Sequence, residues 1–339
     1  MLKVLRKRIS VRLNVLEICA GGGGQARGLE AAGFELAAAI EIDRHACNTL
    51  KQNRPSWNVV ESSIVEIDGK DFRGVELLAG GVPCPPFSVA GKQLGHEDER
   101  DLFPEALRLI REAKPKAVLL ENVPGFASDR FTQYRTKLLQ RLARLGYEAQ
   151  WRVLNACWFG VPQLRPRFVL VAFRSSFPES FVWPDANRLA PLTVGDTLAD
   201  LMSVRRWKGA EKWRRKASGI APTLVGGSKK HGGPDLGPTR AKKQWVTLAV
   251  DGMGLADEAP GPERPVDFMP RLTVRMAARL QGFPDSWTFT GGKTSAYRQV
   301  GNAFPPPVAE SVGQAISAVL LGKNSRHRQE QISLVATAS

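Results

Sequence analysis

A thiol set where it could act as a nucleophile is the most chemically loaded feature of the chain: Cys84 stands within Gly80-Gly81-Val82-Pro83-Cys84-Pro85-Pro86-Phe87-Ser88. The apolar run 75–79 just before it reads as a short buried strand. Three prolines flank the thiol, and proline fixes φ and lacks an N–H, so neither helix nor sheet continues through it. Cys84 is therefore expected on a loop at the carboxyl end of a strand, the edge where open α/β sheets bind ligands. An isolated free cysteine is more often a small buried hydrophobe; the Pro-Cys-Pro-Pro setting favours a reactive role instead. The thiolate is the nucleophilic form, and the free thiol has a pKa of about 8.5, so neighbouring cations or backbone dipoles would have to populate it.

A second constellation lies earlier. Gly21-x-Gly23-x-x-Ala26 matches the glycine-rich nucleotide-binding fingerprint, and Glu41 follows it at the distance where a carboxylate accepts a ribose hydroxyl. Alone, the pattern suits NAD-linked dehydrogenases and methyl-donor enzymes equally, and it also describes a plain tight turn from strand to helix.

The elements that would position these groups follow from apolar spacing and breakers. Residues 14–19 read as a strand, 20–24 as the turn, 25–32 as a helix stopped by Gly33, and 36–42 as a second strand. A third strand near 58–64 precedes the 75–79 strand, and 102–113 is a helix. Residues 117–120 form another buried strand, which delivers Glu121-Asn122-Val123 to the same sheet edge as Cys84. A basic amphipathic helix spans 131–145, and two further strands lie at 147–154 and 168–173. Beyond about Ser175 the alternation lapses until a helix at 272–280; a last helix is expected over 308–321, then a polar tail.

With 339 residues the chain suits two domains, and 43% hydrophobic against 24% charged residues is ordinary for a globular protein. A formal net charge of +15 points to a polyanionic partner. Two thirds of that excess sits in residues 205–243, where 12 Lys or Arg face two acids. Trp207, Trp213 and Trp245 are interleaved with the charges, a composition that reads as a nucleic-acid surface. Cys19, Cys47, Cys84 and Cys157 form no C-x-x-C pair, so no metal site is expected, and their sparsity suits a reducing compartment. Asn14 and Glu17 interrupt any signal-peptide core and no long apolar run occurs, so a soluble cytoplasmic protein without membrane attachment is expected.

Taken in order, these motifs resemble the DNA cytosine-5 methyltransferases of the bacterial restriction-modification type. The resemblance runs from about Asn14 to Val308. It rests on Leu16-Glu17-Ile18-Cys19-Ala20-Gly21-Gly22-Gly23-Gly24, then Pro83-Cys84, Glu121-Asn122-Val123 and Gln163-x-Arg165-x-Arg167. Arg271-Leu272-Thr273 through Arg279-Leu280-Gln281-Gly282-Phe283-Pro284 and Tyr297-Arg298-Gln299-Val300-Gly301-Asn302 complete the set. The family usually has Asp and Phe where this chain has Glu17 and Cys19, an acid at Ser63 and a Glu at Met276.

The resemblance implies an α/β fold, a Rossmann-like S-adenosylmethionine-dependent methyltransferase sheet with a smaller, loop-rich target-recognition domain. Residues 1–185 would form the catalytic and donor-binding domain, 186–285 the recognition domain, 286–325 a return to the catalytic domain and 326–339 a tail. It implies transfer of a methyl group from S-adenosyl-L-methionine to carbon 5 of a flipped-out cytosine in duplex DNA, leaving S-adenosyl-L-homocysteine and using no metal. Cys84 would add to carbon 6, Glu121 would hold the ring nitrogen and exocyclic amine, and Arg165, supported by Arg167, would brace the ring carbonyl. Cys19, Ala20, Gly21, Gly23 and Glu41 would border the donor, with Ile42, Ser63, Ile64, Leu102 and Asn302. Ser88, Arg205, Arg206, Lys212, Lys216, Lys229, Lys230 and Arg240 would meet DNA. A monomer acting on DNA in the nucleoid, with a restriction endonuclease encoded elsewhere, is the family expectation. An RNA cytosine-5 methyltransferase and an inactive DNA-binding regulator are the competing readings; intact Cys84, Glu121 and Arg165 argue against the second.

Overall fold

The computed structural model describes residues 12–83, 101–184, 192–227, 233 and 235–322. Cys84, Ser88, Lys229 and Lys230 lie outside the described residues.

The chain opens as β1 (Leu13–Ile18), α1 (Gly24–Ala31), β2 (Phe34–Glu41), α2 (Arg44–Asn53), β3 (Val59–Glu61) and β4 (Leu77–Gly81). It continues with α3 (Phe103–Ala113), β5 (Ala117–Asn122), α4 (Thr132–Arg144), β6 (Tyr147–Asn155), β7 (Gln163–Leu164) and β8 (Pro166–Arg174). Seven strands make one sheet in the order β3-β2-β1-β4-β5-β8-β6. Pairing is parallel from β3 to β5, whereas β8 runs antiparallel to both β5 and β6. The central strands are almost wholly apolar because helices cover both sheet faces. Val15, Leu77 and Leu119 pack on one side, and their neighbours Leu16, Leu78 and Leu120 on the other. Strand order reverses between β1 and β4, and their carboxyl ends form the crevice of an open sheet.

Expected strands and helices agree with these to within a few residues. The third strand is shorter than expected, because Ser63 turns the chain by accepting the Val65 N–H at 3.3 Å. Helix α2 was not read from the sequence; Asp43 caps it, accepting from His45 at 3.0 Å and Ala46 at 3.1 Å.

After β8 come α5 (Val194–Ser203), α6 (Ala210–Lys216), β9 (Ala221–Pro222), α7 (Thr239–Thr247) and α8 (Val274–Leu280). Then follow α9 (Lys293–Asn302) and α10 (Pro306–Leu320). Among its described residues, the region expected to be loop-rich thus contains four helices. The tryptophans expected on a nucleic-acid surface are instead its core: Trp207, Trp213 and Trp245 are 3%, 2% and 0% exposed. The physical reason is amphipathic spacing, which in α6 turns Ala210, Trp213 and Ala217 inward and leaves Lys212 and Lys216 outside. Met276, where a Glu was expected, closes a capping box at the start of α8 by accepting the Thr273 N–H on sulfur at 3.4 Å. Strand β9 pairs in parallel with β7 and so fastens this region to the sheet body.

Among the described residues, no helix is long and apolar enough to cross a membrane, and no group of His, Cys, Asp or Glu is placed to hold a metal ion.

Candidate active site

A cavity of about 330 Å³ opens at the carboxyl ends of β1, β2 and β4. Its floor is the turn after β1, where Gly21 takes φ 55° and Gly23 φ 85°, values that exclude most side chains. Gly24 is required for a different reason, since a Cβ there would lie 2.2 Å from the Phe304 carbonyl oxygen. Glu41 ties the turn to the end of β2, its two carboxylate oxygens accepting from Gly21 N and Asp43 N, each at 2.7 Å. Each oxygen retains a lone pair that a hydroxyl can use.

Of the residues expected around the donor, Cys19, Ala20, Gly21, Glu41 and Ile42 line this cavity, as do Ser63, Ile64, Leu102 and Asn302. Gly23 does not; it shapes the turn from behind, where a Cβ would meet Leu50 at 2.6 Å. Cys19, where the resemblance leads one to expect an aromatic, takes φ 53°. Burial, then the charges of Glu41 and Glu17, push its thiol up to about 12, so it stays protonated and offers a small apolar wall.

Sequence reasoning assigned no role to the two polar side chains at the inner end. Glu17 is 1% exposed and accepts the Ala26 N–H at 3.1 Å through one oxygen, while its other oxygen has no partner among the described residues. Beside it Gln25 is 4% exposed, and neither atom of its amide has a partner among the described residues. Burial raises the Glu17 pKa well above the carboxylate range. Unpaired polar groups at such depth are costly, and both side chains line the cavity.

The reactive side of the cleft is built by β4, β5 and β8. Gly81 pairs with Glu121, and a Cβ at Gly81 would lie 3.2 Å from the carboxylate, so the glycine leaves that face of Glu121 open. Glu121 and Arg167 form a buried ion pair, Nε to Oε1 2.9 Å. Burial raises the Glu121 pKa, opposed by the charges of Arg167 and Arg165. Asn122 donates to the Val82 carbonyl at 2.8 Å, and Leu102 N–H donates to the Pro83 carbonyl at 3.3 Å. The described chain on either side of residues 84–100 is therefore held together at the cavity wall, where Pro83 and Leu102 both lie.

Arg165 and Arg167 are brought to opposite tasks. Arg165 is fully buried and donates to three carbonyls, those of Leu224 at 2.7 Å, Gly301 at 2.7 Å and Ala303 at 3.0 Å. Among the described residues it makes no hydrogen bond to Glu121, and Arg167 is the arginine on that carboxylate. Of the cations expected to meet DNA, the described ones, Arg205, Arg206, Lys212, Lys216 and Arg240, are exposed on the helical region. Arg205 is paired with Glu258 and Lys212 with Asp267, whereas Arg206, Lys216 and Arg240 have no ion pair among the described residues.

The family model of C-5 cytosine-specific DNA methylases matches residues 13–318. The chain belongs to this family. Over 312 residues the methylase is 55% identical to the Type II methyltransferase M.NaeI of Lentzea aerocolonigenes, covering 91% of this chain and 75% of that one. It is 52% identical over 312 residues to the Type II methyltransferase M.NgoMIV of Neisseria gonorrhoeae, covering 91% and 98%. A DNMT2 variant of Spodoptera frugiperda shares its fold at 19% identity, with a TM-score of 0.62 over 90% of this chain and 99% of that one. The protein is thus a DNA (cytosine-5-)-methyltransferase, and the family and fold are those of enzymes that use S-adenosyl-L-methionine.

Proposed function

We propose that this methylase modifies carbon 5 of a cytosine flipped out of a specific duplex sequence, through a covalent adduct on Cys84. The observation that carries the reading is the Glu121–Arg167 pair, buried at the carboxyl end of β5 next to the point where the Cys84 segment leaves β4.

The cavity suits S-adenosyl-L-methionine. Its inner end offers the unpartnered oxygen of Glu17 to an ammonium and the free amide of Gln25 to a carboxylate, while Glu41 stands ready for ribose hydroxyls. Ile42, Ile64 and Leu102 would enclose the adenine, and Asn302 the amino-acid end. When bound, the donor supplies an electrophilic methyl group on a sulfonium.

Carbon 5 of cytosine is a weak nucleophile, and addition of the Cys84 thiolate at carbon 6 turns the ring into an enamine that is a strong one. Glu121 would donate a proton to the ring nitrogen and accept from the exocyclic amine. Its raised pKa favours the protonated carboxyl that this needs. Arg167, rather than Arg165, would fix Glu121 and brace the ring carbonyl, because Arg165 is committed to backbone carbonyls. Expulsion of the thiolate after loss of the carbon 5 proton closes the cycle.

Residues 1–185 with 286–325 would be the catalytic body and 186–285 the unit that reads the sequence. Relatives named as Type II methyltransferases support a place in restriction and modification, beside a separately encoded endonuclease. Such an enzyme works inside the cell, on its own DNA. Bisulfite sequencing of DNA from expressing cells tests the reading: one recurrent methylated sequence is expected, and unmodified DNA would overturn it. A duplex with 5-fluorocytosine at the mapped position should trap a denaturant-stable complex, since fluorine blocks the final elimination.

A further inference from the structure

The segment between β9 and residue 227 is bonded or packed at several points to the chain that walls the donor cavity, Arg298 and Asn302–Ala303, and Arg165 is at the centre of these contacts. Its guanidinium joins the Leu224 carbonyl, on the target-side segment, to the Gly301 and Ala303 carbonyls at the end of α9. Two glutamines extend the junction. Gln163 accepts the Leu224 N–H at 2.9 Å and donates to Gln281 at 2.6 Å, and Gln281 donates to the Ala303 carbonyl at 2.6 Å. Backbones meet directly one step further on: a Cβ at Gly301 would lie 2.4 Å from Gly226 N, and one at Gly226 would lie 2.5 Å from the Arg298 carbonyl oxygen. Asn302, a wall of the donor cavity, donates to the Gly227 carbonyl at 3.1 Å.

We propose that Arg165 is a positioning residue that couples occupancy of the donor cavity to placement of the segment Ala221–Gly227, and through it to target binding. This coupling rests on the donor assignment above. A ligand that seats Asn302 and Ala303 fixes two residues whose backbone is bonded, directly or through Arg165, to the segment leading into the recognition region. Nothing in that junction is free to move alone, because three carbonyls share one rigid, planar cation and a glycine-to-glycine contact leaves no slack. Arg165 is not among the residues that line the donor cavity, and its guanidinium is turned to backbone carbonyls. By linkage, target binding must tighten the donor by the same factor.

The test measures affinity for a duplex carrying the bisulfite-mapped site, by fluorescence anisotropy with and without S-adenosyl-L-homocysteine. Wild type should bind the duplex at least about fivefold more tightly with the nucleoside present, at the lower end of common coupling factors. Arg165→Met should bring that factor close to 1 while leaving affinity for the nucleoside alone within about twofold of wild type. Arg165→Lys, which keeps up to three donors, should recover part of it. Gly226→Ala breaks the same junction without touching a charge and should lower the factor too, which keeps the idea testable if Arg165→Met fails to fold. The proposal is overturned if wild type shows no coupling, if folded variants keep the full factor, or if both affinities fall together with the factor unchanged. Absence of any nucleoside or duplex binding by wild type would instead sink the functional reading itself.

Discussion

The carboxyl edge of the sheet and the helical region that follows β8 use charge in opposite ways. At the edge, Glu17, Glu121 and Arg167 are buried, and each is held by backbone or by its neighbour before any ligand arrives. In the helical region the cations stand in water: the Arg205 and Lys212 side chains are each 46% exposed and paired with acids that are more exposed still. Preorganised dipoles in a dry site act strongly on developing charge, whereas solvated pairs are weak and easily exchanged for phosphates. Bond making needs the first kind of site and sliding along DNA needs the second. Single substitutions at the edge should therefore cost far more than substitutions in the helical region.

The largest expected effect is that of Cys84→Ser, which should lower methyl transfer by at least about 1,000-fold, because a hydroxyl is far less ionised than a thiol. Binding to the mapped duplex should stay within a few-fold. Turnover near wild type in a radiolabelled methyl-transfer assay would end the covalent reading. Glu121→Gln should cost about 100-fold to 1,000-fold in kcat, the range for losing a positioned acid. It should also shift the alkaline limb of the pH–rate profile if Glu121 acts protonated. If Glu121→Gln left kcat untouched, the buried pair would be structural only.

Next in size is Glu17→Gln, which should weaken S-adenosyl-L-homocysteine by about tenfold to 100-fold, because the Glu17 carboxyl can give up its proton when an ammonium binds beside it and an amide cannot. The same variant gives a stability signature. Burial is the main reason that the Glu17 pKa is raised in the folded protein, with the Ala26 N–H opposing and Glu41 adding. Between the unfolded value and the higher folded value, the folded state holds the extra proton, so wild type loses stability as pH rises through that window. Gln does not titrate. The melting temperature of Glu17→Gln relative to wild type should therefore climb with pH across the window and level off above it; a pH-independent difference would mean that Glu17 is not the group responsible.

The edge was legible in the sequence because its motifs are local. A glycine turn after an apolar run, an acid after the next strand and Glu-Asn-Val at the end of a third each declare a place on one sheet edge, and the sheet order puts those places together. The backbone partners of Arg165 were not legible for the opposite reason: they are 59, 136 and 138 residues away in the chain, so no spacing records them. Glu17 and Gln25 were missed because an unpaired buried polar atom is a fact of packing, invisible until the surrounding helices are placed. The tryptophans of the helical region could have been found. The spacing of Ala210, Trp213 and Ala217 is helical, but the density of lysine and arginine around them drew attention to the exposed face.

The smallest effects should come from the surface cations, and they divide by partner. Lys216→Ala and Arg240→Ala remove exposed charges that have no ion pair among the described residues. If these charges sit on phosphates, each loss should lower the slope of log K against log salt by about 1 while leaving the choice of sequence unchanged. Arg205 and Lys212 are already neutralised by Glu258 and Asp267, so contact with DNA must first break those pairs. Their alanine variants should change the slope by less, and the paired substitution Lys212→Ala with Asp267→Ala should return binding towards wild type. Equal slopes for all four single variants would show that the ion pairs open freely on DNA, and the division between committed and uncommitted cations would then carry no information about where the duplex lies.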